Sequence, residues 1–154
     1  MKINFRILIL TFCILLSLGG CGKESETTAP TAPTIVGTYY QSTTATNTYL
    51  AVQITQTNEN YYLTLCMFNT QPDLDKGAQA CYTEPSIKNL PLTKYTETSY
   101  SFTQEDGGKI NTITLAAAAD FSSITGTDSP DDPEPKTFTR LTDKQANNVV
   151  LTAM

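Results

Sequence analysis

The chain has 154 residues, with 10 basic and 15 acidic side chains, a net charge of −5, and neither histidine nor tryptophan. An acidic balance disfavours nucleic acid and adsorption to anionic headgroups. Without histidine there is no Ser-His-Asp or Cys-His catalysis, no histidine-based zinc site and no histidine pH switch.

At the N-terminus Lys2 and Arg6 precede an apolar run from Ile7 to Leu18, then the small pair Gly19-Gly20 and Cys21. Basic end, apolar core and small-residue site are the three parts of an export signal. The run of about twelve residues is shorter than the roughly 20 that an ordinary spanning helix needs. A cysteine directly after the small pair makes Leu18-Gly19-Gly20-Cys21 resemble the lipobox of bacterial lipoproteins. That resemblance implies removal of residues 1–20 and a lipid on Cys21, a thioether diacylglycerol with an amide-linked acyl chain such as palmitate. It also implies anchoring to the cell envelope, since several acyl chains exceed the two-signal threshold for stable attachment. Gly22 is not the aspartate that, after the lipidated cysteine, resembles an inner-membrane retention signal, which favours the outer membrane, at its periplasmic face or at the cell surface. Lys23-Glu24-Ser25-Glu26 is similar to a surface-export tag and reads equally as a solvated tether. Removing Lys2 and Arg6 leaves 8 basic against 15 acidic residues, a net −7.

Residues 22–34, GKESETTAPTAPT, lack apolar periodicity and carry two Ala-Pro steps. They read as a semi-stiff spacer, so 21–34 is lipidated cysteine plus tether and 35–154 the folding domain.

From Ile35 onward the pattern is β. Leu50, Val52 and Ile54 alternate with Ala51, Gln53 and Thr55. Beyond the turn Thr57-Asn58-Glu59-Asn60, Tyr61, Leu63, Leu65 and Met67 alternate with Tyr62, Thr64 and Cys66. The two runs predict a hairpin with one buried face. A second hairpin joins Tyr100 and Phe102 to Ile113 and Leu115 through Glu105-Asp106-Gly107-Gly108, where the Asp106-Gly107 step supplies positive φ. Residues 69–94 contain Pro72, Pro85 and Pro91 and predict irregular backbone with one or two brief strands. Strands are also expected over 122–127 and 137–141. The intervening Asp128 to Pro135 reads as a loop, because its three prolines cannot serve a ladder. Thr142 or Asp143 caps a short helix expected to run through Leu151.

Cys13 falls in the leader and Cys21 at the lipid site, which leaves Cys66 and Cys81. An even pair in an exported protein points to one disulfide, with two free thiols as the alternative. Seven to nine short strands at meander spacing predict an all-β fold. The expected form is a small antiparallel up-and-down barrel with a short C-terminal helix, a β-sandwich being the alternative.

Ile35-Val36-Gly37-Thr38-Tyr39 resembles the Gly-x-Trp opening of lipocalin-like barrels, with tyrosine in place of tryptophan. In that family a basic residue on the last barrel strand packs across the aromatic. The resemblance therefore implies a structural pair between Tyr39 and Arg140. A strand start plus a surface arginine is the plainer reading of the same residues.

No phosphate loop or nucleophile motif occurs after residue 21. The carboxylates sit in predicted turns, where nothing drives their pKa values apart, so no catalytic residue is assigned. Asp73-Leu74-Asp75-Lys76-Gly77 and the acids between Asp128 and Glu134 could hold calcium only weakly. No cofactor and no metal site are expected. Tyr39, Tyr49, Tyr61, Tyr62, Tyr82, Tyr95 and Tyr100 are strand tyrosines that either pack or line a cavity. Two functions fit. One is a lipocalin-like, membrane-anchored module for a small apolar ligand. The other is an envelope structural or interaction protein, or inhibitor, with a filled barrel and a protein or glycan partner. Ala51, Ala116 to Ala119 and Gly126 are small enough to permit an interior pocket.

Overall fold

The computed structural model describes residues 34–43, 48–106, 108–129 and 132–154. The signal segment 1–20, Cys21 and the tether up to residue 33 lie outside the described residues. Ten strands are present among the described residues: β1 Gly37–Thr43, β2 Thr48–Thr57, β3 Asn60–Phe68, β4 Gln79–Thr83, β5 Leu90–Tyr95, β6 Ser99–Asp106, β7 Lys109–Ala117, β8 Ser123–Ser129, β9 Asp132–Arg140 and β10 Val149–Ala153. A 3-10 turn occupies Pro85–Ile87, and helix α1 spans Asp143–Asn147.

Neighbouring strands follow chain order from β5 through β9, then β1, β2 and β3, and β3 pairs back with β5. This closes an eight-stranded barrel whose ladders are all antiparallel. Closure brings the sheet's two outer barrel strands, β3 and β5, together over a short ladder. The β2–β3 hairpin turns through Asn58 and Glu59, with φ of 49° and 69°. Such a two-residue turn matches the twist of the flanking strands. Gly108, with φ of 80°, turns the β6–β7 hairpin.

Period-2 alternation turns one side chain in two inward. Val52, Ile54, Leu63, Phe102, Ile113, Leu115, Ile124 and Phe138 meet there with Ile35, Tyr39 and Leu90 as one buried cluster. Leu50, Tyr61, Leu65, Leu92 and Tyr100 pack against it, half-buried.

Three expectations are corrected. The predicted helix through Leu151 stops at Asn147, and Val149–Ala153 runs as β10, parallel to β4 over five residue pairs. Thr142 and Gln145 form a capping box, but the β-branched Val149-Val150 pair favours strand, and β4 would otherwise expose an unpaired edge. Of the expected loop 128–135, residues 128–129 belong to β8 and residues 132–135 to β9, despite Pro133 and Pro135. Those prolines are two apart, so their nitrogens face one side of the strand. Among the described residues β9 meets β1 only at Tyr39–Arg140 and Tyr40–Thr139. Proline is tolerated where a strand makes no ladder bond from that side, and among the described residues none joins β1 to the first half of β9.

The third correction is a second core. Tyr40, Tyr49, Ala51, Cys66 and Phe68 face outward from β1, β2 and β3, where alternation alone predicts solvent. They are covered by Leu74, Cys81, Leu141, Val149 and Leu151. Segment 69–78, β4, α1 and β10 thus form a flap over one wall of the barrel. Burying a Phe or Val side chain contributes roughly 1.5–3 kcal/mol, which makes the flap an integral layer. The Cys66–Cys81 disulfide lies inside it and joins β3 to β4 across 15 residues.

Candidate ligand-binding site

The two ends of the barrel differ. At one end Arg140, the last residue of β9, pairs across the ladder with Tyr39. Its guanidinium carbon lies 5.8 Å from the centre of the Tyr39 ring. Nη1 donates to the Thr34 carbonyl at 2.9 Å and Nη2 to the Val36 carbonyl at 2.6 Å. Tyr39 is fully buried, and its hydroxyl donates to the Ile35 carbonyl at 2.9 Å. Arg140 can lie this close because residue 37 is glycine. A Cβ there would stand 3.2 Å from Nε and Nη2, tighter than ordinary packing allows. Burial raises the Tyr39 pKa above the usual 10.0, with Arg140 pulling against the shift and Tyr100 adding to it. This end is a stopper: the entering chain is strapped over the barrel floor by one arginine.

Toward the other end, a cavity of about 160 Å³ lies within the barrel between β2, β3, β7, β8 and β9. Its wall is apolar, built from Leu50, Val52, Leu63, Leu65, Leu115 and Phe138. Thr127, Glu134 and Lys136 give it a polar rim. The space exists because Gly126 stands at an inward position of β8. A Cβ on Gly126 would meet Leu115 Cδ2 at 3.1 Å and Phe138 Cε2 at 3.6 Å. A register shift follows directly, between Gly126 and Asp128; such an irregularity rotates the strand and brings Thr127 toward the rim. The arrangement can hold an apolar group by exclusion of water.

Of the small residues expected to permit a pocket, Gly126 alone lines this cavity. Ala51 is buried in the outer layer and Ala116 is exposed. A glycine amid threonines in a predicted strand signals close approach, and the cavity follows from it.

The tyrosines divide: Tyr39 is core, Tyr40 and Tyr49 belong to the outer layer, and Tyr61 and Tyr100 pack against the inner cluster. Tyr95 is 70% exposed. The acidic turn 73–77 holds its carboxylates locally. Asp73 pairs with Lys76 at 2.6 Å, and Asp75 accepts from Gln145 at 3.1 Å. Of the second acidic loop, residues 130 and 131 lie outside the described residues, and Glu134 stands at the cavity rim. Among the described residues no group of three Asp, Glu, Cys or His side chains is placed to hold a metal.

No protein-family profile matches the chain, and no curated protein matches it. Among solved structures, a Helicobacter pylori protein described as belonging to the lipocalin family aligns with a TM-score of 0.46 and 18% identity, over 75% of this chain and 88% of that one. The barrel described above stands on its own closed ladder of strands.

Proposed function

We propose that the chain is a lipid-anchored cell-envelope protein, held at the outer membrane through Cys21, whose barrel takes up a small apolar ligand in its interior cavity. The cavity walled by Leu50, Val52, Leu63, Leu65, Leu115 and Phe138 carries this reading. Its size selects the ligand class. Drug-sized ligands occupy roughly 300–1,000 Å³, whereas an apolar cavity near 150 Å³ takes a molecule of benzene size. At about 160 Å³ the site suits a single aromatic ring, or the end of an apolar chain with its polar head at Thr127, Glu134 and Lys136.

A second reading is favoured by the other half of the interior. There Tyr39, Phe102, Ile54 and Ile124 are fully buried and leave the barrel floor packed. On that reading the barrel is a scaffold, and an envelope protein or glycan binds its outside.

Filling the cavity separates the two. Gly126→Leu should abolish calorimetric binding of toluene while the circular-dichroism spectrum persists. Leu65→Ala, which enlarges the same space from a tolerant half-buried position, should admit bulkier rings. Unchanged toluene binding by Gly126→Leu would contradict an interior site.

A further inference from the structure

The barrel wall has a gap distinct from its interior cavity. The β3–β5 ladder that closes the barrel consists of Tyr62–Pro91 and Leu63–Leu90 alone. Beyond Pro91 the β5–β6 register also shifts, between Leu92 and Lys94. β3 and β5 therefore part where Tyr61 and Leu92 would otherwise continue the ladder. A cleft of about 310 Å³ opens there, lined by Tyr61, Tyr95, Tyr100, Leu92, Glu59 and Asn60. It is nearly twice the size of the interior cavity, at about 160 Å³, and falls within the range of small-molecule sites.

We propose that this cleft is a binding site for an organic cation of the quaternary-ammonium class, seated among the rings of Tyr61, Tyr95 and Tyr100 with Glu59 as counter-charge. Three features of the lining select that chemistry. The ring faces carry the negative lobe of the aromatic quadrupole, which attracts a desolvated cation. The one charged side chain among the lining residues is the Glu59 carboxylate, and neither lysine nor arginine joins it. Among the described residues no ion pair holds Glu59, whose backbone is fixed in the left-handed region at the hairpin tip, with φ of 69°. An anion would meet Glu59 and the ring faces unfavourably.

The strands prepare the three rings to different degrees. Tyr95 and Tyr100 are direct cross-strand partners on β5 and β6. Tyr61 and Tyr100 are steadied by the inner cluster, and Tyr61 lies close enough to add to the upward pKa shift that burial gives Tyr100. Tyr95, 70% exposed, is left to close over a guest. The site rests on the broken β3–β5 ladder and stands whether or not the interior cavity binds a ligand.

The test is a titration of the full chain, in non-ionic detergent, with choline and with its uncharged tert-butyl isostere, followed by aromatic NMR shifts. Choline should perturb Tyr61, Tyr95 and Tyr100 and bind at least fivefold tighter than the isostere. Tyr95→Leu should weaken choline about two- to fivefold, the worth of one exposed ring. Glu59→Gln should weaken choline and leave the isostere unchanged. Both substitutions are at exposed positions, so folding is preserved for the comparison. Equal affinity for choline and isostere, shifts confined to other residues, or binding of a disaccharide in place of choline would each overturn the assignment.

Discussion

Arg140 lies across the ring of Tyr39 while holding the carbonyls of Thr34 and Val36, so one side chain joins the last barrel strand to the segment that enters the first. Hydrogen bonds from a charged donor contribute roughly 1.5–3 kcal/mol, and the cation–π contact adds about 0.5–1 kcal/mol. Solvent screening at the Thr34 contact, which is exposed, reduces the sum. Arg140→Ala should therefore destabilise the fold by about 2 kcal/mol, read as a Tm lower by roughly 5–10 °C. Arg140→Lys should recover little, because a point charge cannot reach both carbonyls in the planar fork geometry. An unchanged Tm for Arg140→Ala would return the residue to the surface.

Gly37 and Arg140 should be energetically coupled. Gly37→Ala places a methyl 3.2 Å from Nε and Nη2 and must displace the guanidinium. In the Arg140→Ala background that contact is gone, and the cost of Gly37→Ala should fall by about 1 kcal/mol. Additive effects in denaturant unfolding would show that the two residues act apart.

Alkaline pH should weaken the barrel through Tyr39. Burial raises its folded pKa above the usual 10.0, more than Arg140 lowers it. The unfolded chain thus loses this proton first. Stability is full below about pH 10 and declines as pH rises from there through the folded value. Tyr100, raised by burial and by Tyr61, acts in the same direction. Ultraviolet titration should show a late-ionising fraction of tyrosine that disappears in denaturant; a single transition at the ordinary value would contradict this.

Reduction should act on the flap more than on the barrel. The Cys66–Cys81 bond closes 15 residues, worth on the order of 3 kcal/mol in the chain-entropy model. A Cys66→Ala, Cys81→Ala variant should lose about that much and exchange amide hydrogens faster in β4 and β10 than in β6 to β8. Uniform acceleration across the barrel would mean that the flap and the barrel unfold as one unit.

Much of the barrel was legible from local pattern. Leu50, Val52, Ile54, Leu63 and Leu65 do line the interior, and the Asn58-Glu59 and Gly108 turns lie where the hairpins need them. Period-2 alternation records which face is buried, and these strands bury the face it indicates. The outer layer was not legible. Ala51 and Phe68 look solvent-facing until a distant segment covers them, and that cover depends on β10 pairing in parallel with β4. Parallel pairing between segments so far apart in sequence leaves no local signature. Pro133 and Pro135 misled for a related reason: proline argues against a central strand, whereas among the described residues the start of β9 pairs with β8 alone. The tyrosine cleft arises where β3 and β5 part company, a property of two strands jointly that neither strand's sequence carries.

The most direct measurement compares native and denatured mass spectra of the full chain purified from its own membrane in mild detergent. The denatured mass should equal residues 21–154 plus a diacylglycerol-type lipid on Cys21, and Cys21→Ser should lose both that mass and membrane retention. The native mass should exceed the denatured one by one small apolar molecule at unit stoichiometry, and Gly126→Leu should abolish the excess. Identical native and denatured masses would contradict a ligand-holding barrel, and an unmodified Cys21 would contradict the anchor.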